Sequence, residues 1–168
     1  MSELEVRPTV AGDEVALETL YPASFPDEEL RPLVRALLAL PDVISLAALR
    51  DGQLIGHLAL TPCATEGKRV DLLGPLAVLP AHQRKGAGSA LVRAGVSRSG
   101  AAGATAVVLL GSPAYYGRLG FTKEDRVRTP YPIPDEWGPA WQGLSLTDPP
   151  EGRLHVPEPW RVPAFWGP

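Results

Sequence analysis

Apolar and polar residues alternate over Leu4-Glu5-Val6-Arg7, the period-two pattern of a strand with one buried face, and Pro8 stops it. From Thr9 to Leu20 the apolar positions Val10, Val15, Leu17 and Leu20 predict a short amphipathic helix. Asp13 and Glu14 fall in its first turn, where the helix dipole favours negative charge. Ser24 and Asp27 have the spacing of a capping box, and Leu30, Leu33, Val34, Leu37 and Leu38 recur behind them at helical intervals. Pro32 inside that run predicts a late helix start or a bend.

Two apolar runs, Ile44 to Leu49 and Leu54 to Leu60, predict strands joined by a hairpin at Arg50-Asp51-Gly52-Gln53, since the Asp-Gly pair tolerates positive φ. Pro62 is expected to end the second of them. Val70 to Val78 predicts the next strand, interrupted at Gly74-Pro75 by a bulge or a splay. A strand that parts from its neighbour frees backbone N–H and C=O groups, to which an amide-bearing ligand can bond as an added strand. A basic, glycine-spaced loop follows, Gln83-Arg84-Lys85-Gly86-Ala87-Gly88, and then a helix over Ala90 to Val96. Ala104 to Leu110 is continuously apolar, as suits a strand covered on both faces. Gly111-Ser112-Pro113 breaks it, and a short helix from Ala114 to Leu119 closes at Gly120-Phe121. The strand–loop–helix–strand unit from Leu72 to Leu110 predicts an α/β protein whose mixed sheet has parallel neighbours at its centre.

A length of 168 residues suits one domain with a real core, and 45% hydrophobic and 21% charged residues are ordinary for a globular chain. A net charge of −3 argues against a general nucleic-acid binder. The N-terminus lacks a basic region followed by an apolar core, and no apolar run is long enough to span a bilayer, so neither a signal peptide nor a membrane partner is expected. A single cysteine, Cys63, excludes an internal disulfide and a cysteine-based metal cluster. The default expectation is a cytoplasmic protein without a metal. More than half of the 19 prolines and all four tryptophans lie beyond Thr122. Residues 122–168 therefore read as a Pro/Trp-rich C-terminal extension of one domain spanning 1–168, too poor in apolar periodicity to build a second core.

The glycine loop has a physical use. It precedes a helix, where backbone N–H groups are not consumed internally, and Gly86 and Gly88 carry no Cβ to block a ligand. Successive N–H groups and the positive end of the helix dipole favour phosphate, with Arg84 and Lys85 adding charge at the rim. The string lacks the Gly-x4-Gly-Lys-Ser/Thr of a P-loop, and Leu91 stands where a dinucleotide fingerprint needs its third small residue. Gln-x-x-Gly-x-Gly after Val78-Leu79-Pro80 resembles the acetyl-CoA pyrophosphate loop of the GNAT superfamily of N-acetyltransferases. Tyr116-x-x-x-Gly120-Phe121 is similar to that superfamily's second diagnostic element. The runs Gly74 to Val78 and Leu110 to Phe121 resemble a bacterial subgroup of predicted N-acetyltransferases, and the resemblance covers roughly Leu4 to Phe121.

That resemblance implies a GNAT fold, a mixed central β-sheet with a splayed parallel strand pair flanked by helices. It implies acetyl-CoA as co-substrate and transfer of its acetyl group to a primary amine, of a small molecule or a peptide, by direct attack in a ternary complex. Leu76, Ala77 and Val78 would offer backbone to the pantetheine arm. Gln83, Arg84, Lys85, Gly86, Ala87, Gly88 and Ser89 would hold the phosphates, with Ser112 and Tyr116 also at the cofactor. Tyr116, a donor at neutral pH, would protonate the leaving thiolate. No carboxylate occupies the usual strand position for a general base; Asp71, Glu66 and His57 remain open, His57 acting directly or through water. Ser112 stands where the subgroup often carries Asp or His. The alternative is a non-catalytic acyl-CoA sensor of the same fold, and the Trp-rich tail could form a homodimer surface.

Overall fold

The computed structural model describes residues 3–168. The chain forms β1 (Leu4–Pro8), α1 (Asp13–Ser24), α2 (Arg31–Leu38), β2 (Ile44–Arg50), β3 (Gln53–Thr65) and β4 (Lys68–Val78). It continues with α3 (Ala87–Ala101), β5 (Ala106–Leu110), α4 (Pro113–Gly117), β6 (Thr122–Lys123), β7 (Val127–Arg128), β8 (Trp141–Ser145) and β9 (Gly152–Arg153). Seven strands hydrogen-bond in the order β1-β2-β3-β4-β5-β8-β6, and β7 pairs with β9. Within the larger sheet β1–β2, β2–β3, β5–β8 and β6–β8 are antiparallel, while β4–β5 is parallel. The expected mixed α/β architecture is present.

Two compact units make up the chain: Met1–Leu60 with Gly74–Ser97, and Thr61–Leu73 with Arg98–Pro168. The first packs Leu17, Leu20 and Tyr21 of α1, Val34 of α2 and Ala77 of β4 into one cluster. In that unit α3 lies so close to β3 that a Cβ at Gly95 would stand 2.6 Å from Leu60 Cδ1, a separation that real Cβ atoms do not tolerate. The second unit packs Cys63, Val70, Leu72, Ala106 and Val108 against Val127, Trp141, Leu154, Val156 and Trp166. The Pro/Trp-rich stretch thus supplies strands and half of a core cluster, more than its weak periodicity suggests. Two of its indoles are buried with their N–H groups satisfied: Trp141 donates to Val127 O at 2.7 Å and Trp166 to Trp160 O at 3.1 Å.

Local chemistry explains most element boundaries. Asp51 (φ 54°) and Gly52 (φ 78°) make the expected hairpin between β2 and β3. Pro32 sits in the first turn of α2, where its missing N–H costs nothing. Two expectations are corrected. Pro62 lies inside β3, because a proline is tolerated where the ladder does not need its N–H. Ser24 does not cap α2; it is the last residue of α1, and α2 starts after Leu30 without a side-chain cap. Among the described residues no helix is long and apolar enough to cross a membrane.

Candidate functional site

In the first unit, β4 ends at Val78 and the chain turns through Pro80–His82 into the glycine loop. Arg84 (φ 62°) and Gly86 (φ 90°) both take left-handed backbone, and Gly86 is the residue type that does so without strain. α3 then begins at Ala87, and its first backbone bond at this end runs from Ala90 N–H to Gly86 O at 3.0 Å. The N–H groups of Ala87, Gly88 and Ser89 have no partner among the described residues, as a first helical turn requires. Arg84 and Lys85 are exposed and form no ion pair among the described residues. The result is a cluster of backbone donors at a helix N-terminus, on the buried Ala87 and Gly88 and the half-buried Ser89, behind an exposed, positively charged loop, and it is suited to a phosphate group.

The strand leading into this loop has one free edge. Parallel pairing with β5 is confined to Val70, Asp71 and Leu72, although β4 runs on to Val78. Leu79 N–H bonds to Ile55 O at 2.8 Å, and the Ala77 carbonyl lies 3.2 Å from a Cβ built at Gly56. Both residues therefore turn their backbone towards β3. By strand alternation, Leu76 and Val78 turn theirs the opposite way. Of the three residues expected to offer backbone, Leu76 and Val78 face the free edge, and Ala77 is 1% exposed and faces β3.

His57, on β3 of the same unit, is fully buried. Its Nδ1 lies 2.6 Å from Tyr21 Oη and its Nε2 2.8 Å from Ser45 Oγ, so both ring nitrogens are occupied. Burial lowers its pKa to about 4, against a smaller opposing pull from Asp13. In this arrangement the ring reaches a proton only by way of Tyr21 or Ser45.

Ser112 and Tyr116 belong to the second unit. Ser112 is the N-cap of α4, its Oγ accepting from Tyr115 N–H at 3.3 Å. The Tyr116 ring sits edge-on to Tyr115 and Phe121. A Cβ at Gly111 would lie 2.5 Å from Tyr116 Cε2, so the glycine makes room for the ring. The Tyr116 hydroxyl has no hydrogen-bond partner among the described residues, and burial raises its pKa, keeping it a protonated donor. Asp71 is also in this unit, fully buried and bound by Arg69 Nε at 2.7 Å, Arg69 Nη2 at 3.0 Å and Ser99 Oγ at 2.6 Å. Glu66 sits at φ 50° in the tight turn between β3 and β4. Among the described residues no group of three His, Cys, Asp or Glu could hold a metal.

Sequence reasoning missed Tyr21, the partner of His57, and Gly111, the neighbour of Tyr116. The first carried no signal, since its partner lies 36 residues away. For the second, the sequence shows only a strand-breaking glycine, and the ring it makes room for is brought there by α4.

The acetyltransferase (GNAT) family model matches residues 15–121. The chain is 34% identical over 143 residues to the uncharacterized N-acetyltransferase YjhQ of Escherichia coli (strain K12), spanning 79% of this chain and 74% of that one. A GNAT family acetyltransferase from Brucella melitensis, solved in complex with acetyl-CoA, superposes with a TM-score of 0.76 at 30% identity, covering 94% of this chain and 98% of that one. The GNAT family N-acetyltransferase YhbS from Escherichia coli, solved in complex with CoA, superposes with a TM-score of 0.84 at 26% identity over 96% and 94% of the two chains.

Proposed function

Because this chain belongs to the acetyltransferase (GNAT) family, we propose that it transfers the acetyl group of acetyl-CoA to a primary amine by direct attack in a ternary complex. The observation that carries this reading is the start of α3, where three uncommitted N–H groups follow a loop bent by left-handed Arg84 and Gly86. Such a cradle fits a pyrophosphate.

Acetyl-CoA supplies an acyl group already activated as a thioester. The chain's own residues bind, orient and donate protons. The N–H groups of Ala87, Gly88 and Ser89 receive phosphate oxygens, and Arg84 and Lys85 add charge to the rim. Leu76 and Val78 present backbone groups along the free edge of β4 to the amides of the pantetheine arm. Tyr116, held protonated by its surroundings, donates to the departing sulfur, and Ser112 caps the short helix that carries it. His57 contributes only through its partners, holding or passing a proton by way of Tyr21 or Ser45. Positioning of donor and amine supplies much of the rate.

A binding-only module is the second reading. One observation favours it: His57 and Asp71 are both committed to internal partners, leaving neither as an exposed base. Thermal unfolding with increasing acetyl-CoA, followed by release of free CoA thiol over a panel of amines, tests both readings. A rise in Tm with thiol release supports transfer. A rise in Tm without thiol release supports the module, and no rise at millimolar ligand removes both.

A further inference from the structure

The Val78 carbonyl, on the free edge of β4, is already saturated by donors among the described residues. Ser24 Oγ, at the end of α1, donates to it at 3.0 Å, and Gln83 Nε2, at the start of the glycine loop, donates to it at 3.0 Å. A carbonyl oxygen has two lone pairs, so two donors fill it. The two come from opposite directions in sequence, one 54 residues upstream and one five residues downstream.

The second bond closes the segment from Val78 to Gln83 into a ring. Inside that ring His82 N–H bonds to Leu79 O at 2.8 Å, so the path from strand to loop has little freedom left. Beyond the ring come the residues whose backbone takes unusual values, Arg84 and Gly86. The brace therefore ends where the phosphate cradle begins. Because Ser24 holds the same oxygen as Gln83, the last turn of α1 fixes the point from which the loop springs. Saturation also has a consequence for the edge. An acyl donor that adds along β4 finds Leu76 C=O and Val78 N–H available, while Val78 C=O is engaged.

We propose that Ser24 is a positioning residue for the acyl donor: by sharing the Val78 carbonyl with Gln83 it presets the strand end and the loop that receive acetyl-CoA. This inference rests on the proposed function. Ser24 touches no reacting atom and acts through Val78 and the loop.

The test is acetyl-CoA binding by calorimetry, with the ligand-free Tm measured alongside, on wild type, Ser24→Ala and Ser24→Thr. Loss of one hydrogen bond that orders the loop raises the Kd of Ser24→Ala about five-fold. Ser24→Thr keeps the hydroxyl and stays within about two-fold of wild type. An unchanged Kd in Ser24→Ala, with or without a lower ligand-free Tm, makes the contact merely structural and overturns the inference while the proposed function stands. Equal weakening in Ser24→Ala and Ser24→Thr also overturns it, since the hydroxyl would then not be the acting group. Absence of acetyl-CoA binding by wild type overturns the proposed function itself and the inference with it.

Discussion

Tyr21 Oη stands 2.6 Å from His57 Nδ1, and both side chains are at most 1% exposed. The Tyr21 hydroxyl has no other partner among the described residues, so its proton points at Nδ1. That assigns the imidazole proton to Nε2, which donates to Ser45 Oγ at 2.8 Å; Ser45 also accepts from Thr9 Oγ1 at 2.8 Å. The four residues form one polar chain through the first unit, tying β1's exit, β2, β3 and α1 together. Its satisfaction depends on a neutral histidine.

A pH dependence of stability follows. His57 titrates near its ordinary 6.5 in the unfolded chain and near 4 in the folded one, where burial opposes the charge and Asp13 only partly offsets it. Between those values the unfolded chain binds a proton that the folded chain does not. Stability is therefore complete above about pH 6.5 and falls as the pH drops towards 4, by up to about 3 kcal/mol. Urea unfolding at pH 7.5 and pH 5 should show this loss in wild type and a shallower one in His57→Gln, which cannot titrate. Parallel slopes would mean that His57 is protonated in the folded chain.

Asp71 sits in a different kind of site. Its carboxylate is closed off by the Arg69 fork and the Ser99 hydroxyl, joining β4 to α3 within the second unit. Removing one partner of a buried pair leaves the remainder poorly solvated, and Arg69, with a side chain 25% exposed, recovers part of that loss from water. Asp71→Asn should cost about 2 kcal/mol and Ser99→Ala about 1 kcal/mol by urea unfolding. Folded Asp71→Asn should keep the wild-type shape of its pH–rate profile; loss of the profile's basic rise would instead identify Asp71 as the general base.

Gly111 and Tyr116 are coupled by contact. A methyl group at Gly111 meets the tyrosine ring at 2.5 Å, so Gly111→Ala should lower stability by about 2 kcal/mol in wild type and by much less in a Tyr116→Ala background. Separately, Tyr116→Phe keeps the ring and removes the proton. Turnover should fall about 100-fold with acetyl-CoA affinity unchanged if Tyr116 is the acid. Equal turnover would reduce Tyr116 to packing.

What could be read in the sequence was what is decided locally. The glycine loop, the Asp51-Gly52 hairpin and the first turn of α2 depend on residues within a few positions of one another, and their backbone requirements are written in residue type. Ser24 was misread because capping-box spacing is a local signal, while its actual partner, Val78, is brought to it by the packing of α1 on the sheet. Pro62 was misread because a proline breaks a strand only where its N–H is needed. The role of His57 turned on Tyr21 and Ser45, a helix residue and a neighbouring-strand residue that no spacing rule connects. Trp141 and Trp166 join a core made of residues from Cys63 onward, and such scattered apolar positions leave no periodic trace.

Gly86 separates the local from the functional most sharply. A Cβ built there meets nothing within 4 Å, so size is no obstacle; the obstacle is φ at 90°, which L-residues resist. Gly86→Ala should therefore cost only about 1–2 kcal/mol in ligand-free stability, because a surface loop can relax. Relaxation, however, moves Arg84 and Lys85 and turns the first N–H groups of α3 away from a common point. Acetyl-CoA affinity should then fall at least about ten-fold, more than conformational strain alone implies, since several donors lose alignment together. Lys85→Ala, which removes one exposed charge and no backbone geometry, should lose less and should lose it only at low salt. If Gly86→Ala binds as tightly as wild type, the backbone of this loop does not hold the pyrophosphate. The phosphate contacts would then have to be sought among the side chains.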